Sequence, residues 1–119
     1  MVQAISPSTV AAEERAILPL DEVLLERDGG WIFLSAWARV RLPVGVSFEL
    51  ACGNMVVSLD AASRVTKGRR RESAPIPVGD ARELIVRART AQGSIELSRG
   101  PVPRWVTVQP LSVLAGFMA

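Results

Sequence analysis

The sequence predicts an all-β fold: an antiparallel β-sandwich or small barrel built from β-hairpins, with an extended N-terminal arm and an apolar C-terminal tail. Three observations carry that prediction. Apolar and polar residues alternate through Ala36–Cys52 and again through Leu84–Ser98, the period a half-buried strand requires. Turn-forming residues punctuate these runs at Asp28-Gly29-Gly30, Pro43-Val44-Gly45 and Gly93. Two returning strands also echo each other, Ser47-Phe-Glu-Leu-Ala-Cys-Gly53 and Ser94-Ile-Glu-Leu-Ser-Arg-Gly100. The echo reads as a duplicated supersecondary unit or as two amphipathic hairpins alike by chance.

Residues 1–14 have no sustained period. Ser8 or Thr9 can cap a short turn through Val10–Glu14, but the segment reads better as an extended arm with Ile5 and Val10 as its apolar contacts. The β domain spans residues 15–110. Ala16–Leu20 and Glu22–Arg27 read as short strands broken at Pro19, which lacks an N–H and suits an edge or bend. After the Gly29-Gly30 turn, Trp31–Leu34 is apolar on both faces. Alternate residues there belong in the core, which leaves Trp31 or Phe33 for a partner.

Ala36–Leu42 and Val46–Cys52 read as a hairpin closed at residues 43–45. That register sets Arg39 opposite Glu49 and Val40 opposite Phe48, each pairing worth roughly 0.2–1 kcal/mol. Met55–Leu59 follows as a third strand. Asp60–Ala74 is then a polar connection carrying Arg64, Lys67, Arg69, Arg70 and Arg71. Loops of such length without structure of their own are uncommon in compact domains and often functional.

Pro75–Asp80 resumes as an extended edge segment and turn. The second hairpin turns at Thr90-Ala91-Gln92-Gly93, with Arg87 opposite Glu96. Arg99–Pro103 is a stiff connector, Arg104–Gln109 a final strand, and Pro110 ends it. Leu111–Ala119 carries no charge. Such a tail either tucks under its own sheet or docks on a neighbour; its contact residues are Leu111, Val113, Leu114, Phe117 and Met118.

Composition narrows the chemistry. The 119 residues suffice for one domain with a real core, aliphatic for the most part and supplemented by the few Trp and Phe. There is no histidine, so the usual general base, a Ser-His-Asp triad and the commonest zinc ligand are all missing. The single Cys52 can form no internal disulfide and reads as a small buried hydrophobe. Glu13/Glu14 and Asp21/Glu22 are adjacent near turns and suit solvent better than acid–base work. No phosphate loop spacing occurs. The chain is therefore expected to be non-enzymatic, with no cofactor and no metal. Neither a secretory signal nor an apolar run of membrane-spanning length is visible.

The sharpest charge feature is Lys67-Gly-Arg-Arg-Arg71. With Arg39, Arg41, Arg87, Arg89 and an outward Trp37 it could neutralise phosphates and stack bases. Alternatively it is a solvated loop, or it docks on an acidic subunit through bidentate arginine pairs.

Pro75-Ile-Pro-Val-Gly-Asp-Ala-Arg-Glu-Leu-Ile-Val-Arg-Ala, leading into Gln92-Gly-Ser-Ile-Glu-Leu97, resembles the small all-β accessory proteins of tailed-phage virions, of the capsid decoration or connector type. In those a Pro-x-Gly turn precedes an outward-charged strand and a Gly-led return follows. The resemblance covers about a third of the chain and carries over no functional residue. It implies a virion location; without it the expectation is cytoplasmic. The sequence thus points to a structural subunit that binds copies of itself or a larger protein shell, through the arm and the tail. The alternative is a nucleic-acid-binding β-barrel using residues 67–71.

Overall fold

The computed structural model describes residues 18–104 and 107–116. Strand β1 (Leu24–Asp28) turns at Gly29-Gly30 into β2 (Trp31–Trp37), and β3 (Ser47–Cys52) turns at Gly53-Asn54 into β4 (Met55–Leu59). Both are two-residue hairpins. Gly29 and Gly53 open them with positive φ, 59° and 62°, the backbone such turns demand at that position. Then come β5 (Arg70–Glu72), β6 (Ile76–Pro77), β7 (Glu83–Thr90), β8 (Gly93–Pro101), β9 (Thr107–Pro110) and a short helix, α1 (Leu111–Gly116).

The strands form two antiparallel sheets. The first has the order β5-β2-β1-β9, with β6 also against β2; the second is β4-β3-β7-β8. Consecutive strand pairs thus alternate between sheets. β9 lies beside β1 at the far edge of the first sheet. Such wiring specifies no function.

One core lies between the sheets. Leu25, Ile32 and Leu34 come from the first; Phe48, Leu50, Leu59, Val86 and Leu97 come from the second, all essentially sealed from solvent. Alternation along β2, β3 and β7 thus does what period two predicts. Because the sheets are separate, the architecture is the sandwich and not the barrel.

The structure corrects the first expected hairpin. Ala36–Leu42 does not fold back on β3, since β2 and β3 belong to different sheets. Residues 38–46 cross between them through tight turns, with Val40 N–H donating to Trp37 O (2.9 Å) and Val46 N–H to Pro43 O (3.2 Å). Val40 and Leu42 are buried all the same, so their alternation fills the core at the crossing instead of building a strand. Glu49 therefore faces Arg87 and Arg89 of β7, not Arg39.

The second hairpin matches its prediction, with Arg87 opposite Glu96. The sequence echo also acquires a physical cause. β3 and β8 flank the same strand, β7, and in the same register: Ser47 and Ser94 face Arg89, Phe48 and Ile95 face Ala88, Glu49 and Glu96 face Arg87. A shared partner strand imposes the same residue pattern on both neighbours, and no second hairpin copy is needed.

Three further segments differ from expectation. Asp60–Ala74 is not a plain loop. Val65 bridges Arg71, Thr66 N–H donates to Arg70 O at 2.7 Å, and β5 pairs with β2. The C-terminal stretch begins as a helix. Its first N–H groups are taken up by Val23 O and Leu20 O, at 2.9 and 3.0 Å, and Leu111 lies wholly in the core. Leu18–Leu20, expected in a strand, forms a bend and turn at Pro19.

Candidate functional site

The outer faces of the two sheets differ in kind. On the second sheet, Arg87 Nε lies 3.3 Å from Glu49 Oε1, close enough to pair although not aligned for a hydrogen bond, and Arg89 lies 3.4 Å from Glu49 Oε2. Arg99 bridges Glu83 and Glu96 at 2.6 and 2.7 Å. Apart from Arg99–Glu96, which lies within β8, these are cross-strand charge pairs of an ordinary solvated face.

The first sheet instead shows solvent a row of aromatics. In β2 the even positions Ile32, Leu34 and Ala36 fill the core. The odd positions Trp31, Phe33, Ser35 and Trp37 therefore lie on the outer face. Trp31 is 50% exposed and Trp37 46%, and Phe33 is half-buried. Val108 of β9, 54% exposed, joins the same face opposite Glu26, and Pro77 stands opposite Trp31.

At the centre of this face is a polar knot spanning three strands. Glu26 of β1 and Arg70 of β5 form an ion pair over β2. Between them Ser35 donates its hydroxyl proton to Glu26 and accepts from Arg70 Nη2 at 2.7 Å. Trp37 sits opposite Arg70 in the ladder, and the guanidinium carbon stands 5.3 Å from its ring centroid, a cation–π contact. This contact joins Trp37 to the knot. Such a surface can bind by contact, and the Ser35 hydroxyl lies fully buried beneath the Glu26–Arg70 pair.

The expected basic cluster is divided by the fold. Arg70 belongs to the knot. Arg71 donates to the carbonyls of Ala61 and Ser63, both at 2.7 Å. Lys67 and Arg69 are exposed at the tip of the turn between Val65 and Arg71, where Arg69 takes a positive φ of 58°.

Of the expected interface residues, Leu111 lies in the core of this chain. Leu114 packs against that core and Val113 is 47% exposed. Ile5, Val10, Phe117 and Met118 lie outside the described residues.

Burial pushes the Cys52 thiol up from its ordinary value, which disfavours the reactive thiolate. A cleft of about 480 Å³ is lined by Ser58, Ser63, Arg64, Glu72 and Ser73. Its Ser73 hydroxyl is committed to Leu34 N–H and Ala74 O, each at 3.0 Å. Among the described residues, no group of His, Cys, Asp or Glu could hold a metal, and no helix is long and apolar enough to cross a membrane.

The Glu26–Ser35–Arg70 knot was not foreseen, because its members are far apart in sequence and Arg70 was masked by the basic run around it. The alternation Trp31-x-Phe33-x-Ser35-x-Trp37 was the available signal. The chain matches no family model, no curated protein and no solved structure.

Proposed function

We propose that the chain is a non-enzymatic assembly subunit that binds other protein subunits, copies of itself or a larger shell, through the outer face of its first sheet. The observation that carries this reading is the half-exposed pair Trp31 and Trp37 on one face of a sandwich whose opposite face is ion-paired. Aromatic and arginine side chains framed by apolar surface are the groups that dominate protein contacts. Arg70, already fixed by Glu26 and Trp37, would lose little conformational freedom on binding. The resemblance of residues 75–97 to phage accessory proteins makes a virion shell the natural setting.

The test is the light-scattering mass of the purified chain at low and high salt, with absorbance at 260 and 280 nm. A salt-resistant oligomer free of nucleic acid is expected, with its mass lowered by Trp31→Ala/Trp37→Ala. Co-elution with nucleic acid at low salt, shed at high salt, or a mass indifferent to both substitutions, contradicts the proposal.

A further inference from the structure

Four sheet edges are visible among the described residues, and three are guarded against pairing with another chain. Charges, proline, short length and bulges are the usual guards. The β5/β6 edge is short and carries Arg70, Arg71, Glu72 and Pro77. The β9 edge has four residues and ends in Pro110. The β8 edge carries Glu96, Arg99 and Pro101, and its register shifts beside Leu97. The fourth edge, β4, reads Met-Val-Val-Ser-Leu, with no charge and no proline. Met55 is 43% and Val56 53% exposed, and no backbone hydrogen bond from another described segment reaches residues 55–59.

We propose that β4 pairs antiparallel with β4 of a second copy of this chain, about a two-fold axis at Val57, joining the two second sheets into one. The hairpin geometry supports that register. A two-residue loop makes Cys52 and Met55 the hydrogen-bonded pair that closes the turn. Alternation then turns the N–H and C=O of Val56 and Ser58 away from β3. With Val57 on the axis, Val56 meets Ser58 of the second copy and Ser58 meets its Val56, each pair exchanging both backbone hydrogen bonds. Met55 comes opposite Leu59, and Asp60 opposite Asn54, so no like charges meet. The guarded β8 edge stops the joined sheet from growing further. This contact is separate from the outer face of the first sheet and does not depend on it.

The register makes a covalent test available. Val57 and its symmetry mate form a non-hydrogen-bonded pair with Cα atoms about 4.5 Å apart, within disulfide reach. Val57→Cys should cross-link into a dimer under mild oxidation, while the buried Cys52 leaves the parent chain uncross-linked. Val56→Lys, at an exposed site, and Ser58→Pro, which removes an N–H that β3 does not use, should both abolish the dimer and keep the β spectrum. Trp31→Ala/Trp37→Ala, by contrast, should reduce the assembly to this dimer and leave the cross-link intact. A double-Trp variant that is monomeric at every concentration, a dimer that survives both edge substitutions, or a dimer in which Val57→Cys fails to cross-link overturns the proposal. Each of these can occur whether or not the aromatic face proves to be an interface.

Discussion

Arg70 and Glu26 pair across the strand that separates them. β5 and β1 lie on opposite sides of β2, and the two side chains close over Ser35, itself fully buried. Glu26 is the more enclosed partner, its side chain 13% exposed against 26% for Arg70.

Breaking this knot should cost stability in a coupled way. Arg70→Ala or Glu26→Gln each removes charge-assisted hydrogen bonds and leaves a partner poorly solvated, a loss of about 2 kcal/mol. Because the pair acts as a unit, the double variant should lose much less than the sum. Urea unfolding of the full double-mutant cycle measures that coupling.

Leu111 and Val113 should behave oppositely although two residues apart. Leu111 is sealed in the core and Val113 faces solvent. Leu111→Ala should destabilise by about 3 kcal/mol and Val113→Ala by under about 0.5 kcal/mol, read from denaturant midpoints. Removing residues 111–119 should accordingly unfold the sandwich. The sequence left both placements of this tail open, tucked under its own sheet or docked on a neighbour.

Gly29 and Gly53 isolate backbone strain from sterics. A Cβ at Gly29 would meet nothing within 4 Å, and at Gly53 only Ala81 Cβ at 3.9 Å. Any cost of Gly→Ala there comes from the positive φ alone, about 1 kcal/mol each. Asn should be tolerated better than Ala, since it visits this conformation more readily. Thermal melts of the four single variants compare them directly.

Cys52 should give the fold an alkaline sensitivity. Burial raises its thiol pKa in the folded chain, whereas the unfolded thiol ionises near about 8.5. Below that pH both states hold the proton and stability is unaffected. Above it the unfolded state releases its proton first, so stability falls as pH rises toward the folded pKa. Unfolding free energies across this range should decline more steeply for the parent chain than for Cys52→Ala.

Much of the fold was legible because period two and turn chemistry are local signals. The Gly29-Gly30 turn, the β7–β8 hairpin and the buried alternation of β2 and β3 could all be read from neighbouring residues. The first hairpin failed on the same signal. Val40 and Leu42 alternate and are buried, but burial at a crossing between sheets leaves the same imprint as burial in a strand. The echo of Ser47–Gly53 in Ser94–Gly100 was real, yet its cause, common pairing with β7, depends on sheet order that no local pattern encodes. The polar knot was hidden for a similar reason. Arg70 is 44 residues from Glu26, and their meeting depends on which strands flank β2.

The central claim, that Trp31 and Trp37 are covered in the assembly, is tested most directly by acrylamide quenching of tryptophan emission across a dilution series, with mass followed in parallel. Quenching should increase as the assembly dissociates, and Trp31→Phe/Trp37→Phe should abolish that increase. A quenching constant that stays level through dilution all the way to the monomer would place the contact elsewhere and contradict the account.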